Sequence, residues 1–320
     1  MYKTAESVSP KHPDKICDQI SDAILDEALS HDPYARSAIE VAGGHGEFLI
    51  SGELSVSARI DYESIARDYI GNSAKLHINI TQQSPEIAQG VNGGGAGDQG
   101  IMVGYATSQT TSLMPLEVEL SRSLCRYIYE RFPYDGKTQI TVKDGIVAVV
   151  VASFQHAKSG ELRALINDWL KEQGSSERPT IHANPAGDWS VGGFASDAGL
   201  SGRKLAVDNY GPSVPIGGGA FSGKDASKVD RSGAYMARKI AVGYLKKRSA
   251  ERVHCQLAYA IGVKEPLQAI VIVDGADEVV EGYDLTPKGI IDSLNLLRPQ
   301  YEQTALWGHF GNGFLWDRAK

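Results

Sequence analysis

Cysteine is scarce in this chain of 320 residues: only Cys17, Cys125 and Cys255 occur. They are far apart, odd in number and without CxxC spacing, which excludes a disulfide framework and a zinc module. Long apolar runs are missing too. The longest, Gly145 to Phe154, is half of the roughly 20 residues a membrane helix needs. Met1 to Lys15 contains no apolar stretch of the kind a secretory leader carries. Charge of one sign is not in excess, since 32 basic against 39 acidic side chains leave −7. That argues against a chain-wide nucleic-acid or anionic-membrane surface, while leaving room for a local cationic pocket. Neither H-E-x-x-H nor G-x-S-x-G occurs, so zinc and serine hydrolases have no support. The expectation is a cytoplasmic enzyme or binding protein with the length of two domains, or three small ones.

What is abundant is glycine, 35 residues against a usual share of roughly 7 %. The glycines gather in loops, where chemistry is expected. Between them, apolar stripes at helical spacing follow three starts. Ile16, Ile20, Ile24 and Ala28 follow Pro13-Asp14; Leu120, Leu124, Tyr127 and Ile128 follow Pro115; Val229, Met236, Ile240 and Tyr244 follow Asp225. After each start comes a pair of strand-like runs. These are 37–41 with 48–57, 138–142 with 146–154, and 253–261 with 267–273; the second pair flanks the hairpin dipeptide Asp144-Gly145. Further helical stretches follow at 62–70, 161–170 and 288–297. The reading is an α+β fold of three similar subdomains, each a sheet covered by helices, related by a pseudo-threefold repeat. Sequential boundaries fall at 1–86, 95–190 and 191–320, although the units can interleave. The unbroken run Val147–Val151 suggests sheets buried on both faces, one of them against another subunit.

One loop stands out. Gly218 to Lys224, within GGGAFSGKD, matches the first seven positions of a phosphate loop and leads into a helix. Asp225 replaces the usual Ser/Thr, and Pro212 and Pro215 make the preceding segment a poor central strand. Polyphosphate binding is expected and the P-loop fold is not. Lys224, Lys228 and Arg231 crowd the helix start, where cations are unfavourable, so an anion should compensate them. Ser201-Gly202-Arg203-Lys204 adds two cations, with Asp197 upstream. His12-Pro13-Asp14-Lys15 gathers an imidazole, a carboxylate and an ammonium at a helix start, and His12 reads equally as a simple cap. Gly93 to Gly100 is a second glycine-dense loop, holding Asp98, and reads as a lid or a close-approach turn.

These motifs together resemble methionine adenosyltransferases. GGGAFSGKDASKVDR, from Gly217 to Arg231, is similar to the family signature. His12–Lys15, Gly95–Gly100, Ser201–Lys204, Tyr259–Val263 and Gly308–Gly311 match further blocks in the same order, over nearly the whole chain. The resemblance implies synthesis of S-adenosylmethionine from ATP and L-methionine, by sulfur attack on ribose C5′. Triphosphate is then released and cleaved to pyrophosphate and phosphate. It implies catalytic roles for His12, Lys137, Arg203 and Lys224. ATP would be bound by these with Asp188, Trp189, Asp197, Lys204 and Ala220, the indole standing where an adenine-stacking aromatic is usual. Methionine would be held by Glu53, Gln83, Asp98, Asp197 and Lys228. Asp14 and Asp230 would bind Mg²⁺, two ions per site, and Glu40 K⁺. The resemblance further implies a homodimer or dimer of dimers with the site between subunits, so that Asp98 serves the neighbour's triphosphate loop. No nucleic-acid or membrane partner is implied. The chain is shorter than usual members, its lid between Gln83 and Asp98 is compressed, and it ends soon after the Gly308–Gly311 block. Two alternatives remain open: a methionine-independent NTP phosphohydrolase using the glycine loop alone, and a non-catalytic subunit.

Overall fold

A computed structural model describes residues 1–82, 94–174 and 178–319. Its architecture is α+β, built on three four-stranded sheets. The first strand, β1 (Tyr2–Val8), leads to helix α1 (Pro13–His31). Then come the hairpin β2 (Arg36–Gly44) and β3 (Glu47–Ser55), helix α2 (Tyr62–Ile70) and β4 (Lys75–Thr81). Next follow β5 (Gly100–Thr107) and α3 (Leu116–Arg131). The second hairpin is β6 (Gly136–Lys143) with β7 (Ile146–Phe154), followed by α4 (Ser159–Glu172) and β8 (Thr180–Ala183). Two-residue β9 (Gly199–Leu200), short α5 (Leu205–Asp208) and long α6 (Val229–Arg248) lead to the last hairpin. That hairpin is β10 (Arg252–Tyr259) with β11 (Gln268–Val273), extended by β12 (Ala276–Val279) and followed by α7 (Pro287–Leu294) and α8 (Thr304–Trp307).

Each sheet is a hairpin with one more strand on either side, in the orders β9-β2-β3-β4, β1-β6-β7-β8 and β5-β10-β11-β12. The strand on the first side is antiparallel in all three and comes from a distant part of the chain. On the second side β4 and β8 run parallel to their neighbours, because a helix, α2 or α4, carries the chain back across the sheet. β12 runs antiparallel, because only a tight turn at Asp274-Gly275, both with positive φ, joins it to β11. The three sequential segments therefore interleave: β1 pairs with β6, β5 with β10, and β9 with β2.

The expected stripes face inward. Ile16, Ile20, Ile24 and Ala28 of α1 are buried, as are Val229, Met236, Ile240 and Tyr244 of α6. On α3, Leu124 and Ile128 are buried, while Leu120 and Tyr127 pack at the edge of the same cluster. That cluster, with Ile140, Val150, Phe154, Ile166 and Trp169, is separate from the larger core around α1 and α6. The turn Asp144-Gly145 has φ of 49° and 86°, the two positive values of a type I′ hairpin. Among the described residues no helix is long and apolar enough to cross a membrane.

Candidate functional site

His12 occupies the N-cap of α1, and its Nδ1 accepts the Asp14 N–H at 3.2 Å. The cap reading and the functional one are thus compatible, and the geometry fixes the tautomer. With Nδ1 accepting, a neutral imidazole carries its proton on Nε2. His12 is 3 % exposed. Burial first, then the Lys204 and Lys137 charges, lower its pKa to about 3. Asp14 is fully buried. Its Oδ1 accepts from Leu200 N at 2.9 Å and faces Arg203 Nε at 3.2 Å, while Oδ2 is bonded by the Lys204 ammonium. Burial works against its ionisation, but the Lys204 bond and the Leu200 N–H outweigh it and hold the carboxyl below its usual range. Beneath lies a second buried group: Lys15 Nζ reaches Asp18 at 3.1 Å and Asp208 at 2.5 Å, and Asp18 accepts Gly202 N at 2.8 Å. These bonds anchor the Gly202-Arg203-Lys204 turn onto α1.

Lys137 is exposed on β6, near enough to lower the His12 pKa. Sequence reasoning passed over its neighbour Asp135, whose Oδ2 accepts Gly193 N at 2.9 Å. Burial raises the Asp135 pKa, against the pull of that N–H and of Lys137. The 189–197 loop is thereby tied to the His12 group. It carries Trp189, which lies against Gly192, and exposed Asp197, whose own Oδ1 accepts Ala198 N at 2.8 Å. Asp188, beside Trp189, accepts Ser159 N at 2.8 Å and so holds the start of α4.

The glycine loop builds a second group. Lys224 Nζ pairs with Asp230 Oδ2 at 2.6 Å, and a Cβ on Gly219 would lie 2.2 Å from Asp230 Cγ. Only glycine allows that approach. Lys228, the N-cap of α6, is bonded to Asp225 at 2.5 Å. Asp225 also accepts Ser37 N at 2.8 Å and Ser227 N at 2.9 Å, which accounts for an Asp where a P-loop has Ser/Thr. Arg231 is completely buried and forks onto Asp22 at 2.6 and 2.8 Å, with further bonds to Phe221 O and Lys224 O. This corrects the expectation for the crowded helix start. Protein carboxylates already compensate these cations, and Arg231 braces the loop from behind.

Strand pairing sets the two groups side by side. Ala38 on β2 bridges to Lys224 on one side and pairs with Glu53 on the other. Residues in one such row project from the same face, with strands roughly 5 Å apart. Lys224 and partly exposed Glu53 therefore flank the small Ala38 side chain. Exposed Glu40, two residues along, is bonded by Ser201 Oγ next to the Arg203-Lys204 turn. Ala220 meets that turn, a Cβ on Gly202 falling 2.6 Å from its own.

Asp98, partly exposed, accepts Gln99 N at 2.8 Å. A Cβ on Gly100 would lie 3.4 Å from Asp230 Oδ1 of the same chain. Gly100, two residues after Asp98, is thus seated beside the glycine loop of its own chain. Gln83 and most of the expected lid lie outside the described residues. Of that stretch, Gly94 has φ of +80°, so alanine there would strain the backbone, and Ala96 bridges to Ile261.

Between its folded pKa of about 3 and 6.5, His12 is neutral in the native chain and protonated in the unfolded one. The unfolded state then binds more protons, so this contribution to stability is complete above pH about 6.5 and declines on acidification toward 3. Urea unfolding of the wild type and of His12→Asn, followed from pH about 7.5 to 4.5, should give a shallower pH dependence in the variant. Parallel curves would mean that His12 titrates normally.

The model of the S-adenosylmethionine synthetase N-terminal domain matches residues 1–89. That of the central domain matches 93–189, and that of the C-terminal domain 191–318. The S-adenosylmethionine synthase of Brachyspira hyodysenteriae is 40 % identical over 99 % of this chain and 96 % of its own. That of Sulfurimonas denitrificans is 43 % identical, over 98 % and 93 %. The first alignment runs to 377 positions, more than the 320 residues here, so that relative carries insertions this chain lacks.

Proposed function

The chain belongs to the S-adenosylmethionine synthetase family and synthesises S-adenosylmethionine, and we propose that its two charged groups share the work. His12, Lys137, Arg203 and Lys204 meet the leaving triphosphate from one side, and Lys224 meets it from the glycine loop. The methionine sulfur attacks C5′ of the ATP ribose, and triphosphate leaves before its cleavage to pyrophosphate and phosphate. A thioether has no proton to lose, so the first step needs no base. It needs charge stabilisation on the leaving oxygen. The observation that carries this reading is His12, neutral and with Nδ1 occupied, whose Nε2–H is a donor. Trp189, Asp188 and Ala220 line the adenosine end, and Glu53, Gln83, Asp98, Asp197 and Lys228 hold methionine. The phosphohydrolase alternative has no support. Formation of S-adenosylmethionine by the purified chain from ATP, methionine, Mg²⁺ and K⁺ is the direct test.

Asp14 and Asp230 fit Mg²⁺ and Glu40 fits K⁺. Among the described residues no three acidic, histidine or cysteine side chains form a ready metal cage. Mg²⁺ commonly takes one or two carboxylates and completes its shell with phosphate oxygens and water. Each Asp here is paired with a lysine that arriving phosphates would draw away. Bound there, the ions would neutralise triphosphate charge. Asp14→Asn and Asp230→Asn should each raise the Mg²⁺ concentration for half-maximal synthesis roughly tenfold, the loss of one charged ligand. Unmoved titrations in both would place the ligands elsewhere.

The common strand order supports a pseudo-threefold repeat of three interleaved units, with sequential limits near 1–86, 95–190 and 191–320. Half-exposed Leu49, Ile78 and Ile146 on the sheets support burial of those faces in a homodimer or dimer of dimers. A cytoplasmic location accompanies this reading.

A further inference from the structure

Two arginines on successive turns of α3 carry charge that the synthesis site does not use. Arg122 is 4 % exposed. Its Nη1 donates to Phe310 O at 2.6 Å, and its Nη2 is buried without a partner. Arg126, four residues on, gives Nη2 to the Asn312 side-chain oxygen, and its Nε is likewise buried and unpartnered. Its guanidinium lies 5.2 Å over the Trp307 ring. Neither arginine forms an ion pair among the described residues. Like charges one helical turn apart repel, and a buried guanidinium without a counter-charge is costly. Burial first, and Arg126 second, push the Arg122 pKa down to about 10, with Glu119, Asp208 and Asp317 pulling the other way.

Both arginines line a cleft of about 280 Å³ between α3, α4 and the 308–312 loop, with Ser123, Trp169, Glu119 and Gly311. Trp169 Nε1 donates to Ser123 Oγ at 3.1 Å, which leaves the hydroxyl proton to donate in turn. Three acids, Glu119, Glu130 and Glu172, line the same cleft. Glu119 Oε2 accepts from Ser112 Oγ at 2.5 Å, Glu172 accepts from Tyr127 OH at 3.3 Å, and Glu130 is exposed.

We propose that this cleft is a second anion site, apart from the glycine loop, which takes inorganic phosphate. Two planar guanidinium forks, whose unpartnered nitrogens lie buried beneath the cleft wall, and a hydroxyl supply donors for a tetrahedral oxyanion, and the volume accommodates one with water. Orthophosphate is also a product of the reaction assigned to the chain, so the ligand would be present wherever the enzyme works.

Calorimetric titration of phosphate into Lys224→Ala protein, in chloride buffer, removes the main loop contribution. Binding should persist there and weaken about tenfold or more in Lys224→Ala/Arg126→Gln, as expected for loss of charged hydrogen bonds. Arg126 is half-buried, and circular dichroism checks the fold. Glu119→Gln in the same background should tighten phosphate several-fold, because it removes the nearest competing charge; a purely structural Glu119 would not do so. No binding to Lys224→Ala protein, no effect of Arg126→Gln, or no gain from Glu119→Gln would each overturn the proposal.

Discussion

Lys224→Ala is expected to lower S-adenosylmethionine synthesis by about 10²–10³-fold, the usual cost of one preorganised charge-stabilising donor. Two effects act together. The ammonium that would grip the triphosphate is gone, and Asp230, now bonded to it at 2.6 Å, is left as an uncompensated carboxylate facing the same phosphates. The fold should survive. Lys224 is tied in through its backbone, which donates to Phe221 O and accepts from Arg231, while its neighbours Gly223 and Asp225 bond to Ile39 and Ser37 across the bridge to Ala38, and alanine keeps all of these bonds. Lys224→Arg should recover only part of the activity, since a planar fork does not replace a point charge in a tight loop. Product formation under saturating ATP and methionine, alongside thermal melting, is the measurement. Near-normal turnover in a folded variant would remove the glycine loop from the site.

The helices and hairpins were legible because their signals are local. The α1 and α6 stripes repeat every three or four residues, and Asp144-Gly145 marks its turn by composition alone. The flanking strands were not, for a physical reason. β1, β5 and β9 pair only with strands far away in sequence, and their own residues carry weak patterns; Gly100–Thr107 holds two glycines, and β9 has two residues. β12 had a readable sign, because Asp274-Gly275 is the same dipeptide that marks the second hairpin. The alternation of helices and hairpins was visible and interleaving was allowed for; which strands cross between segments was not.

The same distinction holds at the site. His12, Asp14, Lys224 and Asp230 stood out through motif resemblance. What holds them could not be read, since Asp22 braces Arg231 from 209 positions away and Asp208 neutralises Lys15 from 193. A local rule about cations at a helix start therefore called for a bound anion where the fold supplies carboxylates. Asp135 was missed because nothing local separates it from an ordinary turn aspartate; only its bond to Gly193 draws it in.

Restoration of activity by mixing two dead variants is the second large effect, and the geometry decides which two. Arg203 and Lys204 belong with His12 and Asp14, bonded through the buried Asp14 carboxylate. Lys224 belongs with Asp230, and Gly100, two residues after Asp98, lies beside Asp230 in the same chain. If the site forms between subunits, it joins the first group of one chain to the second group of its partner. Lys204→Ala and Lys224→Ala then cripple opposite halves, whereas Asp98→Asn and Lys224→Ala cripple the same half and cannot rescue each other. In a Lys204→Ala/Lys224→Ala heterodimer one site carries both defects and the other carries neither. Random exchange at equal concentrations gives half heterodimers, so about a quarter of the sites become whole. Activity should rise from near zero to about that fraction of wild type, with the time course of subunit exchange. The Asp98→Asn/Lys224→Ala mixture should stay inactive under the same conditions. Rescue in neither mixture, once exchange is verified with labelled chains, would mean that both groups of one chain close on the same triphosphate. The short row from Lys224 through Ala38 toward the Ser201–Glu40 contact would then be the span that the substrate bridges.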